Sequence, residues 1–241
     1  MRRPSKERVA AGVLASEMLC AAVLGAVIVR GPEHPQLSRP ASTAVAASTP
    51  VATSAPTSSQ ADATVPSAPP TNLHIPAIGV DVSVSPYTAA EASRRADGVT
   101  GKPCLVSGVI TCVNPASVDS VVWQVGGVAG VAFGSEPGTD ASGTVYFYGH
   151  AATGADAVFN DIARLKPGDI ATVTTANGEL HYQVQRTVDP AKSAFASTSE
   201  VVDQVPGRLL LISCDHGPGA KLVNGGYSTG NIVVVLQLEQ Q

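Results

Sequence analysis

Two segments far apart in the chain, Thr144–His150 and Leu209–Asp215, restrict the fold more than any other part of the sequence. Each holds a short, nearly unbroken apolar run, the pattern of a β-strand buried on both faces. Each run leads to a reactive side chain, His150 in the first and Cys214 in the second. A fold that joins the two strand ends sets a thiol beside an imidazole, the pairing by which cysteine nucleophiles attack acyl groups.

The surrounding sequence is rich in Val, Ile and Thr and is broken often by Gly and Pro, which predicts a mostly β domain. Leu73–Ile75 and Val80–Val84 read as short strands around a turn at Pro76–Gly79, and Val121–Val125 follows. Ile170–Thr175 and Glu179–Thr187 flank Asn177 and Gly178, a strong hairpin signal. Arg208–Cys214 and Ile232–Leu238 are the last two strands. Two short helices are expected. Ala157–Leu165 places Val158, Ile162 and Leu165 at helical spacing, and Ser197–Glu200 has the capping-box pattern. Many strands with short helices between them point to an all-β, closed barrel.

The N-terminal part reads differently. Arg2, Arg3, Lys6 and Arg8 stand against one acid, Glu7, and Val9–Val29 is then almost wholly apolar. About 20 such residues suffice to cross a bilayer as a helix. The basic cluster predicts a cytoplasmic N-terminus with the rest outside the cell. Residues 1–30 are thus expected to be a transmembrane signal-anchor, with a cleaved signal peptide as the competing reading. Residues 31–71, built beyond Arg39 almost only from Ala, Ser, Thr, Pro and Val, have no hydrophobic period and read as a disordered linker. Residues 72–241 are then the folded domain, long enough for one core. With 15 Lys and Arg against 19 Asp and Glu, the chain has a net charge of −4. No basic cluster follows the anchor, which argues against nucleic acid as a partner.

Three cysteines remain outside the membrane segment. Cys104 and Cys112 flank a short stretch that can turn, and in an oxidising compartment they are expected to pair. No second Cys/His pair has metal-ligand spacing and no acidic run resembles a calcium loop, so neither a metal nor another cofactor is expected. Cys214 is left unpaired, and two readings stand: a buried, inert thiol, or one kept free for chemistry at a strand end. Of the histidines, His150 follows Gly149 at a strand end, and His216 is an alternative base two residues past Cys214. His74 and His181 fall in alternating segments and read as surface positions.

From Asn72 to Leu238 the chain resembles the sortases, the membrane-anchored cysteine transpeptidases of Gram-positive bacteria, in their actinobacterial class E/F-like form. Leu73–Val80 is similar to the family's opening strand and turn, Thr144–Ala151 to its catalytic-histidine strand, and Phe159–Asp169 to the segment after it. Leu211–Asp215 is similar to the nucleophile strand, with Ser213 where the family usually has Thr. The resemblance implies an eight-stranded sortase-like β-barrel with its site in a groove at one end. It implies Cys214 as the nucleophile that cleaves an LPXTG- or LAXTG-like sorting signal between Thr and Gly, and His150 as the acid and base. The implied partners are the sorting signal of a secreted protein and an amine from a cell-wall precursor or a pilin lysine.

One position departs from the pattern. Sortases carry an arginine on the strand after the cysteine, and this chain has no arginine beyond Arg208. Asn231 can donate a neutral hydrogen bond to an oxyanion from the matching stretch, and Lys221 can supply charge from the loop. The missing arginine also leaves a second reading open, a catalytically impaired, sortase-like module that binds a peptide or cell-wall fragment. The segment from Gly98 to Val118 has no counterpart in the resemblance.

Overall fold

The computed structural model describes residues 64–131, 133–223 and 226–239. The expected signal-anchor and most of the expected linker lie outside the described residues. In chain order the elements are β1 (Pro70–Ile75), β2 (Val80–Tyr87), α1 (Ala89–Ala92), β3 (Leu105–Val106), β4 (Val109–Ile110), β5 (Val121–Gln124) and β6 (Val145–Gly149). There follow β7 (Ile170–Thr175), β8 (Gly178–Val188), α2 (Ser199–Val202), β9 (Arg208–Cys214), β10 (Leu222–Val223), β11 (Tyr227–Ser228) and β12 (Asn231–Leu238).

Eight strands close into the expected barrel, in the order β1-β2-β5-β6-β9-β12-β8-β7. Two neighbouring pairs are parallel, β2 with β5 and β6 with β9, and the rest are antiparallel. Parallel neighbours need long crossover connections. Here those connections carry the small elements: α1 and the β3–β4 hairpin lie between β2 and β5.

Strand parity explains the continuous apolar runs. Successive residues of a strand point to opposite faces of the sheet. Val145 and Phe147 of β6, Leu209 and Leu211 of β9, and Val234 and Leu236 of β12 join a cluster fed by all eight barrel strands, which is the barrel interior. The alternate residues Tyr146, Tyr148, Leu210, Ile212, Val233 and Val235 join a second cluster with Tyr87, Ala92, Cys104, Ile110, Val128 and Val201. That cluster lies on the outer face of one half of the barrel, beneath the crossover connections. β6, β9 and β12 are therefore apolar on both faces because both faces are covered.

Three expectations need correction. The helix over Ala157–Leu165 is reduced to turns and one 3-10 turn at Ile162–Arg164. The Val158 amide donates to the Val118 carbonyl at 2.8 Å and the Phe159 amide to the His150 carbonyl at 2.8 Å. Ile162 and Leu165 still reach the interior core, with Phe159, and Val158 packs partly buried against it. The second helix is the short α2, and the Thr198 side chain does not cap it; its hydroxyl donates to the Ala194 carbonyl at 3.0 Å. Finally, the fold begins before residue 72. Val65 and Ala68 are buried and β1 starts at Pro70, with the Ala68 amide bonded to the Pro137 carbonyl at 3.2 Å.

Candidate active site

In the parallel β6–β9 pair, Tyr148 stands opposite Ile212. That ladder ends there, with His150 one residue past the end of β6 and Cys214 the last residue of β9. On the other side of β9, Asn231 pairs with Cys214 across the antiparallel β12 ladder. Cys214 and Asn231 continue the outer-face parity of Ile212 and Val233, so they lie on the outer face at the strand ends. Ser213, with the opposite parity, faces the interior. His150, Cys214 and Asn231 are each half-buried and line one cavity of about 1250 Å³.

The main chain fixes His150 on both sides. Its carbonyl accepts from the Phe159 amide. Gly149 is required just before it: a Cβ there would lie 2.6 Å from the Phe159 ring and 2.8 Å from Val158 Cγ1, both held in packing. The imidazole Nε2 lies 3.1 Å from the Pro115 carbonyl oxygen. A carbonyl only accepts, so Nε2 is the donor in this contact. Among the described residues, Cys214 is the free cysteine. The turn after it is tied to β12 by the Asp215 amide, which donates to the Gly230 carbonyl at 3.0 Å.

The segment that sequence reasoning left without a role forms one wall of the site. Gly98, Gly101, Thr111, Cys112, Asn114 and Pro115 all line the cavity. Cys104 and Cys112 are joined by a disulfide. The loop is fastened further by the Asn114 amide, which donates to the Tyr87 hydroxyl at 3.2 Å, and by Asn114 Nδ2, which donates to the Ala96 carbonyl at 2.7 Å. The opposite wall is the β10–β11 hairpin, whose Leu222 and Tyr227 also line the cavity. Tyr227 lies over Gly98, where a Cβ would sit 2.7 Å from the ring. Only a glycine at 98 lets the two walls close to this distance.

The cations are not where the sequence placed them. Lys221 is exposed and does not line the cavity. Lys192 does, and its Nζ lies 3.4 Å from Cys214 Sγ. Nothing in the spacing of Pro190, Ala191 and Lys192 marks this position; the pairing of Ala191 with Gly230, with the backbone bonds on either side of it, brings it to the start of β12. Arg208, at the opposite end of β9, donates to the Glu200 carbonyl.

His216 lines the same cavity, with Nδ1 3.3 Å from the Thr153 hydroxyl. Burial pulls its pKa below the usual imidazole value; Asp215 opposes this and the charge of Lys192 adds to it. The Asp97 carboxyl also lines the cavity and titrates below the ordinary carboxylate range. Burial works against that shift and is outweighed by hydrogen bonds from Thr100, the charge of Lys192 and the Val99 amide. His74 is exposed, and His181 is half-buried with its Nδ1 3.1 Å from the Thr172 hydroxyl; neither lines the cavity.

A sortase-domain family model matches residues 73–239, which include both walls, His150 and Cys214. The chain belongs to the sortase family. Sortases are in general cysteine transpeptidases. Similar solved structures include sortase C-1 from Actinomyces oris, at 17% identity and TM-score 0.42, covering 70% of this chain and 73% of that one. Sortase A from Corynebacterium diphtheriae is similar at 13% identity and TM-score 0.45, covering 72% of this chain and 62% of that one. The pilus-related sortase C of Group B Streptococcus matches at 14% identity and TM-score 0.44, covering 72% of this chain and 68% of that one. No curated protein matches the chain.

Proposed function

We propose that this sortase cleaves an LPXTG- or LAXTG-like sorting signal between Thr and Gly and transfers the acyl part to an amine, with Cys214 as nucleophile and His150 as acid and base. The observation that supports the reading is that His150 and Cys214, just past or at the ends of the paired strands β6 and β9, both line one cavity. The Cys214 thiol passes its proton to His150 as its sulfur adds to the threonine carbonyl carbon. The C–N bond then breaks, and the leaving glycine amine takes that proton from His150. The acyl group stays on sulfur as a thioester. An incoming amine, from a cell-wall precursor or a pilin lysine, attacks the thioester and gives a proton to His150, which returns it to the departing Cys214 sulfur. An imidazole suits both steps because it changes charge near neutral pH.

The same reading extends to the rest of the chain. Residues 1–30 anchor the protein in the cell membrane with the N-terminus in the cytoplasm. A stalk then carries the barrel on the outer side, where the Cys104–Cys112 disulfide persists. The test incubates the folded domain with LPXTG and LAXTG peptides and oligoglycine, and follows the products by mass spectrometry. A thioacyl adduct on Cys214 and an exchanged product are expected, with both absent in Cys214→Ala. His150→Ala should lower turnover by about 100- to 10,000-fold. A folded wild-type domain that forms no adduct with any sorting peptide would shift the reading to a binding module.

A further inference from the structure

We infer that Lys192 is the catalytic cation of this site, holding negative charge first on the Cys214 sulfur and then on the oxygen of the carbonyl it attacks. The Nζ–Sγ distance of 3.4 Å places the ammonium against the reacting atom. Its backbone is fixed there by three contacts. The Lys192 amide donates to the Thr229 carbonyl at 2.8 Å, the Asn231 amide donates to the Pro190 carbonyl at 2.9 Å, and Ala191 bridges Gly230. Residues 190–192 thus run beside the start of β12, the strand whose Asn231 pairs with Cys214.

The other cations of the cavity wall are engaged elsewhere. Arg95 forms an ion pair with Glu91 at 2.6 Å, and Arg94 approaches the same carboxylate at 3.7 Å. Among the described residues, Lys192 has no carboxylate within ion-pairing distance. Its charge therefore faces the thiol and the open cavity, where it also acts on the Asp97 carboxylate without pairing with it. When sulfur bonds to a carbonyl carbon, the oxygen that gains the electron pair lies within about 3 Å of that sulfur, inside the reach of a lysine already touching it. Lys192 gives up no proton in this role. The sulfur–carbon bond forms, the carbonyl π pair moves to oxygen, and the ammonium stabilises the oxyanion until the pair returns and the amine leaves.

The acylation part of this inference rests on the transpeptidase reading; the placement of charge at the sulfur does not. Two measurements separate them, each on wild type, Lys192→Met and Lys192→Arg, with melting temperatures to show that all three are folded. The first is the rate of Cys214 alkylation by anionic iodoacetate relative to neutral iodoacetamide. A cation at the sulfur favours the anionic reagent, and its removal should lower the ratio by roughly fivefold. The second is the acylation rate with a sorting peptide, expected to fall about 100- to 1000-fold in Lys192→Met with little change in peptide affinity. Lys192→Arg should restore the ratio and most of the rate. An unchanged ratio in Lys192→Met overturns the inference, as does a lowered ratio with acylation still within threefold of wild type. A wild-type chain that acylates with no peptide defeats the transpeptidase reading alone, and the alkylation ratio then decides by itself whether Lys192 charges the site.

Discussion

The side chains around Cys214 do unequal work, and the buried hydroxyl beside it shows this. Ser213 Oγ is buried and has no hydrogen-bond partner among the described residues, because its parity turns it toward the apolar barrel interior. An unpartnered buried hydroxyl is a net penalty. Ser213→Ala is therefore expected to raise stability by about 1 kcal/mol in a denaturant titration, with iodoacetamide reactivity of Cys214 unchanged; a clear loss of stability would show that Oγ has a partner. His216 gives the residue-scale pH dependence. Its folded-state pKa is depressed, so the folded state prefers the neutral ring. The stability it contributes is complete above the ordinary value of 6.5 and is lost as pH falls from there through the depressed folded value. Melting temperature should thus fall on acidification below about pH 6.5, and the slope should be shallower in His216→Gln. Equal slopes in the two proteins would remove His216 as the cause.

Among the elements, the two walls of the cavity are coupled to the site in different ways. The 94–115 wall reaches His150 through the Pro115 carbonyl, three residues past a disulfide that closes a tight loop. Replacing Cys104 and Cys112 by Ser should cost about 2–3 kcal/mol of stability. Acylation should fall further than the change in melting explains, because the imidazole loses the carbonyl that orients it. Activity that simply tracks the folded fraction would show that the wall does not position His150. The opposite wall meets the first where Tyr227 covers Gly98. Tyr227 is 50% exposed, so its ring can swing away when a methyl group is added beneath it. Gly98→Ala is therefore expected to leave melting nearly unchanged while shifting KM for the sorting peptide several-fold. A large drop in stability would mean that the contact is structural.

For the molecule as a whole, the barrel closes on strands whose ends come from distant parts of the chain, and its first residues act as a seal. Val65 belongs to the interior cluster, and the Thr139 amide donates to its carbonyl at 2.8 Å. A domain cut to begin at Asn72 loses this residue, Ala68 and the first residues of β1. Compared with a domain begun at residue 57, it should be less stable by about 2 kcal/mol, the usual worth of one buried valine-sized side chain. Identical denaturation midpoints would assign residues 64–71 to the linker after all.

The sequence alone made much of this legible, for reasons that are local. Apolar runs at β6, β9 and β12 specify strands whatever surrounds them, and Asn177 with Gly178 specifies a tight hairpin by backbone preference. His150 and Cys214 stood out because each ends such a run, and Cys104 with Cys112 because they are close in sequence. What the sequence could not supply were contacts set by register and by crossover connections. Val158, Ile162 and Leu165 have helical spacing, yet the segment is held by bonds across to Val118 and His150 and forms only turns and one 3-10 turn. Pro115 meets His150 across 35 residues, and Lys192 meets Cys214 across 22. No local period encodes either contact. The pairing of Ala191 with Gly230 decides where the lysine stands, and the parity of β9 decides that Cys214 opens to the cavity while Ser213 turns into the core.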